Sequence, residues 1–446
     1  MVYFCLNTPL LKYPFYLLLF AVTIISCNNS APASQEPSDS LEYTASAPGA
    51  IAEKERKELS ARLGTFFDER LVGKGFNGSI LVAKEGNILY EKYVGYRDLR
   101  LKDPLTDTTS FHLASTSKPF TGMATLWLVQ QGKLSLDDSI QKFFPGLPYP
   151  GVTVKLLLNH RSGIPNYVYF MADKKLWDQK RFVTNPDVLA FIYREKPARS
   201  FKPDTRFSYS NTNYVLLAAI IEKVSGKPFP DYLKENLFGP LGMEHTYVYT
   251  LKDSATATHS FDAGGGFWKD DFLEGTYGDK NVYSTPRDML KWDQALYTNK
   301  FIRQSLLDTA FMPYSNETRS IHNYGLGWRL LMLPNGKKIV YHFGRWHGFT
   351  PAFARLIDEK ATIIILGNKF NRNIYNSAHK AYDIFGNYMQ DEDDGEEAEK
   401  VQEKQSPVKK TPGDKLPAPP AKKTADKGTK PAAKKISSSK AAAKQK

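Results

Sequence analysis

The chain has 446 residues, 41% of them hydrophobic, and a formal net charge of +13 at neutral pH. A folded part of ordinary enzyme size would bury about three quarters of the surface its unfolded chain exposes, so a catalytic domain is within reach. The only cysteines, Cys5 and Cys27, fall in the first 27 residues, which excludes a disulfide framework or a cysteine zinc site from the rest.

The charge is unevenly spread. Residues 400–446 hold 14 lysines against Glu403, Asp414 and Asp426, a local +11, whereas 391–399 hold seven acids and no base. The first 390 residues carry the remaining +9 without a dense Lys/Arg stripe interleaved with aromatics, so nucleic acid is not an expected partner. No His-Glu-x-x-His pattern or comparable pair occurs among the eight histidines, and neither a metal nor a cofactor is expected.

In chain order, Phe15 to Ile25 is an apolar run after Lys12. It is short for a bilayer span of about 20 residues but suits a signal peptide. Ile24-Ile25-Ser26-Cys27 resembles a bacterial lipobox, which makes Cys27 a candidate lipidated first residue of the mature protein. An ordinary cleaved signal peptide or a short uncleaved anchor is the alternative. Residues 1–27 therefore read as a signal peptide with lipobox, 28–50 as a flexible Ser/Ala/Pro tether, 51–390 as the folded domain, and 391–446 as a disordered tail, acidic then Lys/Ala/Pro-rich. Such a tail is either simply solvated or attracted to an anionic envelope polymer or lipid surface. The expected location is the bacterial cell envelope, with the domain lipid-anchored and facing the periplasm or exterior.

Leu59, Leu63, Phe66, Phe67 and Leu71 recur at helical spacing, predicting an amphipathic helix over 53–71. Ser79–Ala83 and Ile88–Tyr93, joined by Lys84-Glu85-Gly86-Asn87, predict a β-hairpin. Ser115-Thr116-Ser117-Lys118-Pro119 then precedes the apolar run Met123–Val129, and a helix with Pro119 in its first turn would run to Gly132. Lys155 to His160 ends a short helix, and Thr212 to Val224 forms an apolar one stopped by Gly226. Thr285-Pro286-Arg287-Asp288 has the pattern of a helix start with a capping box. Strands are expected at Lys337–His342, Ala352–Ile357 and Thr362–Gly367, followed by a closing helix over Ile374–Met389. Strands at both ends with helices between them give an α+β fold, an antiparallel sheet flanked by helices with an inserted, mainly helical subdomain.

On one helix face, Ser115 and Lys118 bring a hydroxyl and an amine together, three residues apart. A buried lysine with a lowered pKa can help deprotonate such a serine, or stabilise the charge that develops. The spacing alone is weak, because Ser-x-x-Lys recurs at Ser139, Ser377, Ser406 and Ser437.

The ordered set Ser115-x-x-Lys118, Tyr209-x-Asn211 and His342-x-Gly344 resembles the serine β-lactamase and penicillin-binding-protein superfamily, in its class C-like branch. Non-catalytic stretches share the likeness: Leu156-Leu157-x-x-His160-x-Ser162-Gly163-Ile164-Pro165, Gly278-Asp279 with Val282-Tyr283-Ser284-Thr285, and Tyr324-Gly325-Leu326-Gly327-Trp328. The resemblance implies that Ser115 attacks an acyl carbonyl and that Lys118 shares its proton. Tyr209 would act as base, which requires a depressed phenol pKa. Asn211 would face the substrate, and the backbone N–H groups of Ser115 and of Arg345, just past Gly344, would form an oxyanion hole. His342 stands where β-lactamases have lysine, and Phe343 where a small hydroxyl residue is usual, which shifts the expected substrate toward an ester, a D-amino-acid peptide or a cell-wall peptide. Another reading is a catalytically silent envelope- or peptidoglycan-binding protein of the same fold.

Overall fold

The computed structural model describes residues 47–390. The signal peptide with Cys27, most of the tether and the tail lie outside the described residues. None of the described helices is long and apolar enough to cross a membrane.

The first helix, Glu53–Arg70, buries Leu59, Leu63 and Phe67 on one stripe, with Glu53 and Glu55 in its first turn and Arg70 in its last, as the helix dipole favours. Strands Gly78–Lys84 and Asn87–Val94 form the expected hairpin. Its two-residue turn, Glu85-Gly86, takes positive φ at both positions (51° and 77°), the turn that matches strand twist.

That hairpin pairs with the far end of the chain. In spatial order the seven-stranded antiparallel sheet runs His322–Tyr324, Arg329–Met332, Lys338–Phe343, Thr350–Leu356, Ala361–Gly367, Gly78–Lys84, Asn87–Val94. Ile80 lies opposite Ile365, and Phe353 stands between His342 and Ile364. Both faces are covered. Leu81, Val340, Phe353 and Ile364 point into the helical body, while Ile80, Val82, Ile339 and Ile363 point toward Leu63 and Phe67 of the first helix and Ile374 and Ala378 near the C-terminal end. This explains why Thr362–Gly367 reads as a continuous apolar run instead of an alternating one.

Two helices lead the inner layer. Lys118–Gln130 and Asn211–Ser225 are apolar nearly all round and pack side by side in the helical body, while Pro286–Ala295 lies against the sheet at Gly78–Lys84 and Ala361–Gly367. The closing helix is shorter than expected: it spans Asn373–Lys380, adds a tight turn over Ala381–Ile384 and stops. There the Asp383 carboxylate accepts the backbone N–H groups of Tyr388 and Gln390, and Met389 takes a positive φ of 56°. At Thr285 the cap forms, its hydroxyl accepting from the Asp288 N–H. The reciprocal half of the box does not, because the Asp288 carboxylate instead accepts from His245 N–H and Thr246 Oγ1.

Candidate active site

Ser115 lies in the tight turn Ala114–Ser117 that feeds directly into the helix Lys118–Gln130, with Pro119 in its first turn. The residue before it, Ala114, takes φ 47°, a left-handed conformation that costs a non-glycine residue about 1 kcal/mol or more. Its N–H is held by His112 Nδ1 at 2.8 Å. The serine is thus presented on a strained, braced turn.

Lys118 is completely buried. Its ammonium nitrogen donates to Ser115 Oγ at 3.2 Å and to the Asp279 carbonyl oxygen at 2.7 Å, and lies 4.9 Å from the Tyr209 ring centre. Burial pushes its pKa down to about 7; the Asp279 carboxylate opposes this and the Arg329 charge adds to it. Near neutral pH a large share of the population therefore carries a free amine beside the serine.

Tyr209 closes the group from the other side. Its hydroxyl is buried and makes no hydrogen bond of ordinary geometry, although Ser115 and Arg329 both favour its ionised form. Burial outweighs them and pushes the phenol above its usual range. His160 packs 4.3 Å from the Tyr209 ring, at φ 58°, and accepts at Nδ1 from Ser210 N–H and Asn213 Nδ2, both at 3.2 Å. It fixes the segment that carries Tyr209. Asn211 begins the helix Asn211–Ser225 without capping it: its Oδ1 is buried and unpartnered, like Ser210 Oγ.

His342 stands one step further back. A carbonyl can only accept, so its Nδ1–H donates to Phe343 O at 2.8 Å and its Nε2 is left to accept from Tyr324 O–H at 3.2 Å. Burial, together with Arg329 and Lys118, pushes its pKa well down, so the ring is neutral. It lies 6.5 Å from Tyr209, centre to centre, and hydrogen-bonds none of Ser115, Lys118 or Tyr209. Phe343 points away, onto Tyr375 and His379.

Gly344 approaches Ser115 so closely that a Cβ there would sit 2.7 Å from the Ser115 nitrogen and 2.8 Å from Leu113 O. Only glycine fits that contact. Among the described residues, neither the Ser115 nor the Arg345 backbone N–H donates to another protein group. The Arg345 side chain is exposed and covers the Phe370 ring at 4.8 Å.

One contributor had no sequence signal. The Arg329 guanidinium stands 5.3 Å from the Tyr209 ring centre, without an ion pair among the described residues. Its charge acts on Lys118, His160, Tyr209 and His342 alike. The loop Gly278–Asn281 also proves structural: Asp279 O orients Lys118, while Asn281 Oδ1 pairs with His112 Nε2 at 2.7 Å.

A fold of this topology, with a serine and a buried lysine at the junction of sheet and helical body, defines the serine hydrolases of the β-lactamase and penicillin-binding-protein class. The family model described as Beta-lactamase matches residues 66–384, and the chain belongs to that family. Among individual proteins, it is similar to penicillin-binding protein 4* of Bacillus subtilis (strain 168), 35% identical over 345 residues, 74% of this chain and 75% of the relative. The octameric penicillin-binding protein homologue from Pyrococcus abyssi superposes with a TM-score of 0.60 at 29% identity, covering 70% of this chain and 73% of that one. The D-amino acid amidase from Ochrobactrum anthropi SV3, complexed with L-phenylalanine amide, does so with a TM-score of 0.60 at 25% identity, covering 73% and 98%.

Proposed function

We propose that this serine hydrolase works in the bacterial envelope, anchored through Cys27, and cleaves an ester, a D-amino-acid amide or a cell-wall peptide through an acyl-enzyme on Ser115. The observation that carries the reading is the buried Lys118 amine, 3.2 Å from Ser115 Oγ and with its pKa brought down to about 7. Neutral Lys118 takes the serine proton as Oγ attacks the carbonyl carbon. The unengaged N–H groups of Ser115 and Arg345 hold the oxyanion, a contribution of about 3 to 4 kcal/mol per donor in comparable sites. When the tetrahedral intermediate collapses, the leaving amine or alcohol recovers a proton from Lys118, and water then hydrolyses the ester on Ser115.

Tyr209, a neutral phenol in the resting enzyme, relays protons between Lys118 and the leaving group instead of starting the reaction as base. Asn211 presents its side-chain amide NH2 to the substrate carbonyl, and Arg329 offers a cation to an anionic substrate end. His342 supports the wall through Tyr324. Relatives named penicillin-binding protein and D-amino acid amidase support the substrate range. The test is a panel of p-nitrophenyl esters and D-amino-acid p-nitroanilides: turnover should vanish in Ser115→Ala. Equal turnover in that variant would refute the proposal, and a wild-type protein that binds wall peptide without turning over any substrate would establish the silent binder instead. Fatty-acid labelling that disappears in Cys27→Ala checks the anchor.

A further inference from the structure

The two N–H groups that hold the oxyanion in the mechanism above belong to segments far apart in the chain, and they meet across one very close contact. Gly344 presses on the nucleophile turn, where a Cβ would fall 2.7 Å from the Ser115 nitrogen, and the Arg345 N–H follows in the next peptide. That contact demands glycine, and glycine is the residue whose backbone turns most freely. The Gly344–Arg345 peptide can therefore swing about the bonds that flank it unless something outside the backbone holds it.

The chain on either side is fixed. Gly344 N–H donates to Pro351 O at 3.0 Å, and Trp346 and Phe349 exchange two backbone hydrogen bonds at 3.1 and 2.9 Å. Past Arg345, the buried Glu274 carboxylate accepts from Trp346 Nε1 at 3.0 and 3.1 Å and from His347 Nε2 at 2.5 Å. Between these anchors the oxygen of the peptide itself is met by a side chain: Tyr375 O–H donates to Gly344 O at 2.6 Å. A trans peptide is planar and carries its C=O and N–H on opposite edges. Holding the oxygen toward Tyr375, which packs with the outer layer of the sheet, aims the Arg345 N–H inward, to the side where the turn carrying Ser115 enters the helical body.

Tyr375 is itself well seated. It lies on the helix Asn373–Lys380, whose Ile374 and Ala378 are buried in that outer layer, and its ring stacks on Phe343 with centroids 5.6 Å apart and planes 17° from parallel. Phe343, which stands where a small hydroxyl residue is usual, thus supports the ring that carries this hydroxyl.

We propose that Tyr375 is a positioning residue of the oxyanion hole: its hydroxyl holds the Gly344–Arg345 peptide in the orientation that presents the Arg345 N–H to the substrate's developing oxyanion. The proposal rests on the acyl-enzyme reading of Ser115. Tyr375 acts through the peptide and touches no substrate. A hydrogen bond to the carbonyl oxygen also polarises the peptide and makes its N–H a stronger donor. Both effects count most when charge has built up on the substrate oxygen, so they favour the transition state over the bound substrate.

The experiment compares the wild type with Tyr375→Phe, which removes the hydroxyl and keeps the stacked ring. Hydrolysis of p-nitrophenyl acetate is followed against pH, and inhibition by phenylboronic acid is measured beside it. Boron accepts Ser115 Oγ and becomes tetrahedral, placing one of its oxygens where the oxyanion would sit. Complete loss of one such donor costs about 10² to 10³ in kcat, so a donor that is only less well aimed should cost about tenfold. The expected result is a kcat/KM about tenfold lower, a boronate inhibition constant about tenfold higher, and a pH midpoint that stays near 7. A smaller fraction of correctly folded protein would lower turnover without moving the inhibition constant, so that constant separates positioning from mere support of the fold. Values within twofold of the wild type in both measurements overturn the proposal, as does a fall in turnover with the boronate constant unchanged. A displaced pH midpoint also overturns it, because the hydroxyl would then act through Lys118. A wild type that neither hydrolyses an ester nor forms a Ser115 adduct rejects the acyl-enzyme reading itself, a failure visible before any variant is made.

Discussion

Lys118 and Arg355 are both cations without any exposed surface, and they meet opposite fates. Arg355, on the central sheet, is matched by Asp293: Nε donates to Oδ1 at 2.6 Å and a second nitrogen to the Asp293 carbonyl at 3.3 Å, with both side chains fully buried. Lys118 has only neutral atoms in reach, Ser115 Oγ and Asp279 O. A guanidinium with its counter-ion stays charged and ties sheet to helix, whereas an amine deprived of both water and counter-ion gives up its proton. One buried charge is spent on architecture, the other is made reactive.

Removing each charge should separate the two roles. Lys118→Met is expected to lower turnover by about 10³ to 10⁴, the upper part of the range for proton transfer by a positioned side chain, with the unfolding midpoint unchanged or raised because an unpaired buried amine has gone. Steady-state kinetics beside a denaturant titration reads both. Asp293→Ala should do the reverse. It leaves Arg355 buried and unpaired, at about 3 to 5 kcal/mol of unfolding free energy, while the folded fraction keeps its turnover per active site. A stability change below about 1 kcal/mol would mean that the pair does not tie the layers.

The comparison sharpens at the oxyanion end. Gly344→Ala puts a methyl group 2.7 Å from the Ser115 nitrogen, and turnover should fall about 10² to 10³-fold. The smallest effect concerns pH. Only the neutral amine accepts the serine proton, so acylation should rise with pH through a midpoint near 7 and drop about tenfold between pH 8 and pH 6. The rising limb should disappear in Lys118→Met. A wild-type limb centred instead near 10 would mean that the amine is solvated in solution.

How much of this was legible in the sequence depended on the range of the signal. Ser115 and Lys118 were readable because a helical turn brings residues three apart together, and the hairpin at Glu85-Gly86 because the turn chemistry is local. The terminal strands were found from their apolar runs, but His322–Tyr324 and Arg329–Met332 were not, being only three and four residues long with Gly325 and Gly327 between them. Missing them meant missing Arg329, which reaches the site only because its strand pairs with Tyr341 on the His342 strand. The motif set His342 among the reacting groups; its place behind Tyr324 depends on hydrogen bonds between residues 18 apart. The buried backbone carbonyl of Asp279 leaves no trace in any residue pattern.

The central claim is that Ser115 becomes acylated with Lys118 as its activating base. The direct measurement is labelling of the folded protein with a fluorophosphonate or a β-lactam, followed by peptide mapping by mass spectrometry. One adduct on the peptide carrying Ser115, formed faster at pH 8 than at pH 6 and strongly slowed in Lys118→Met, is the predicted result. An adduct on another residue, or none on a protein that remains folded, would contradict it.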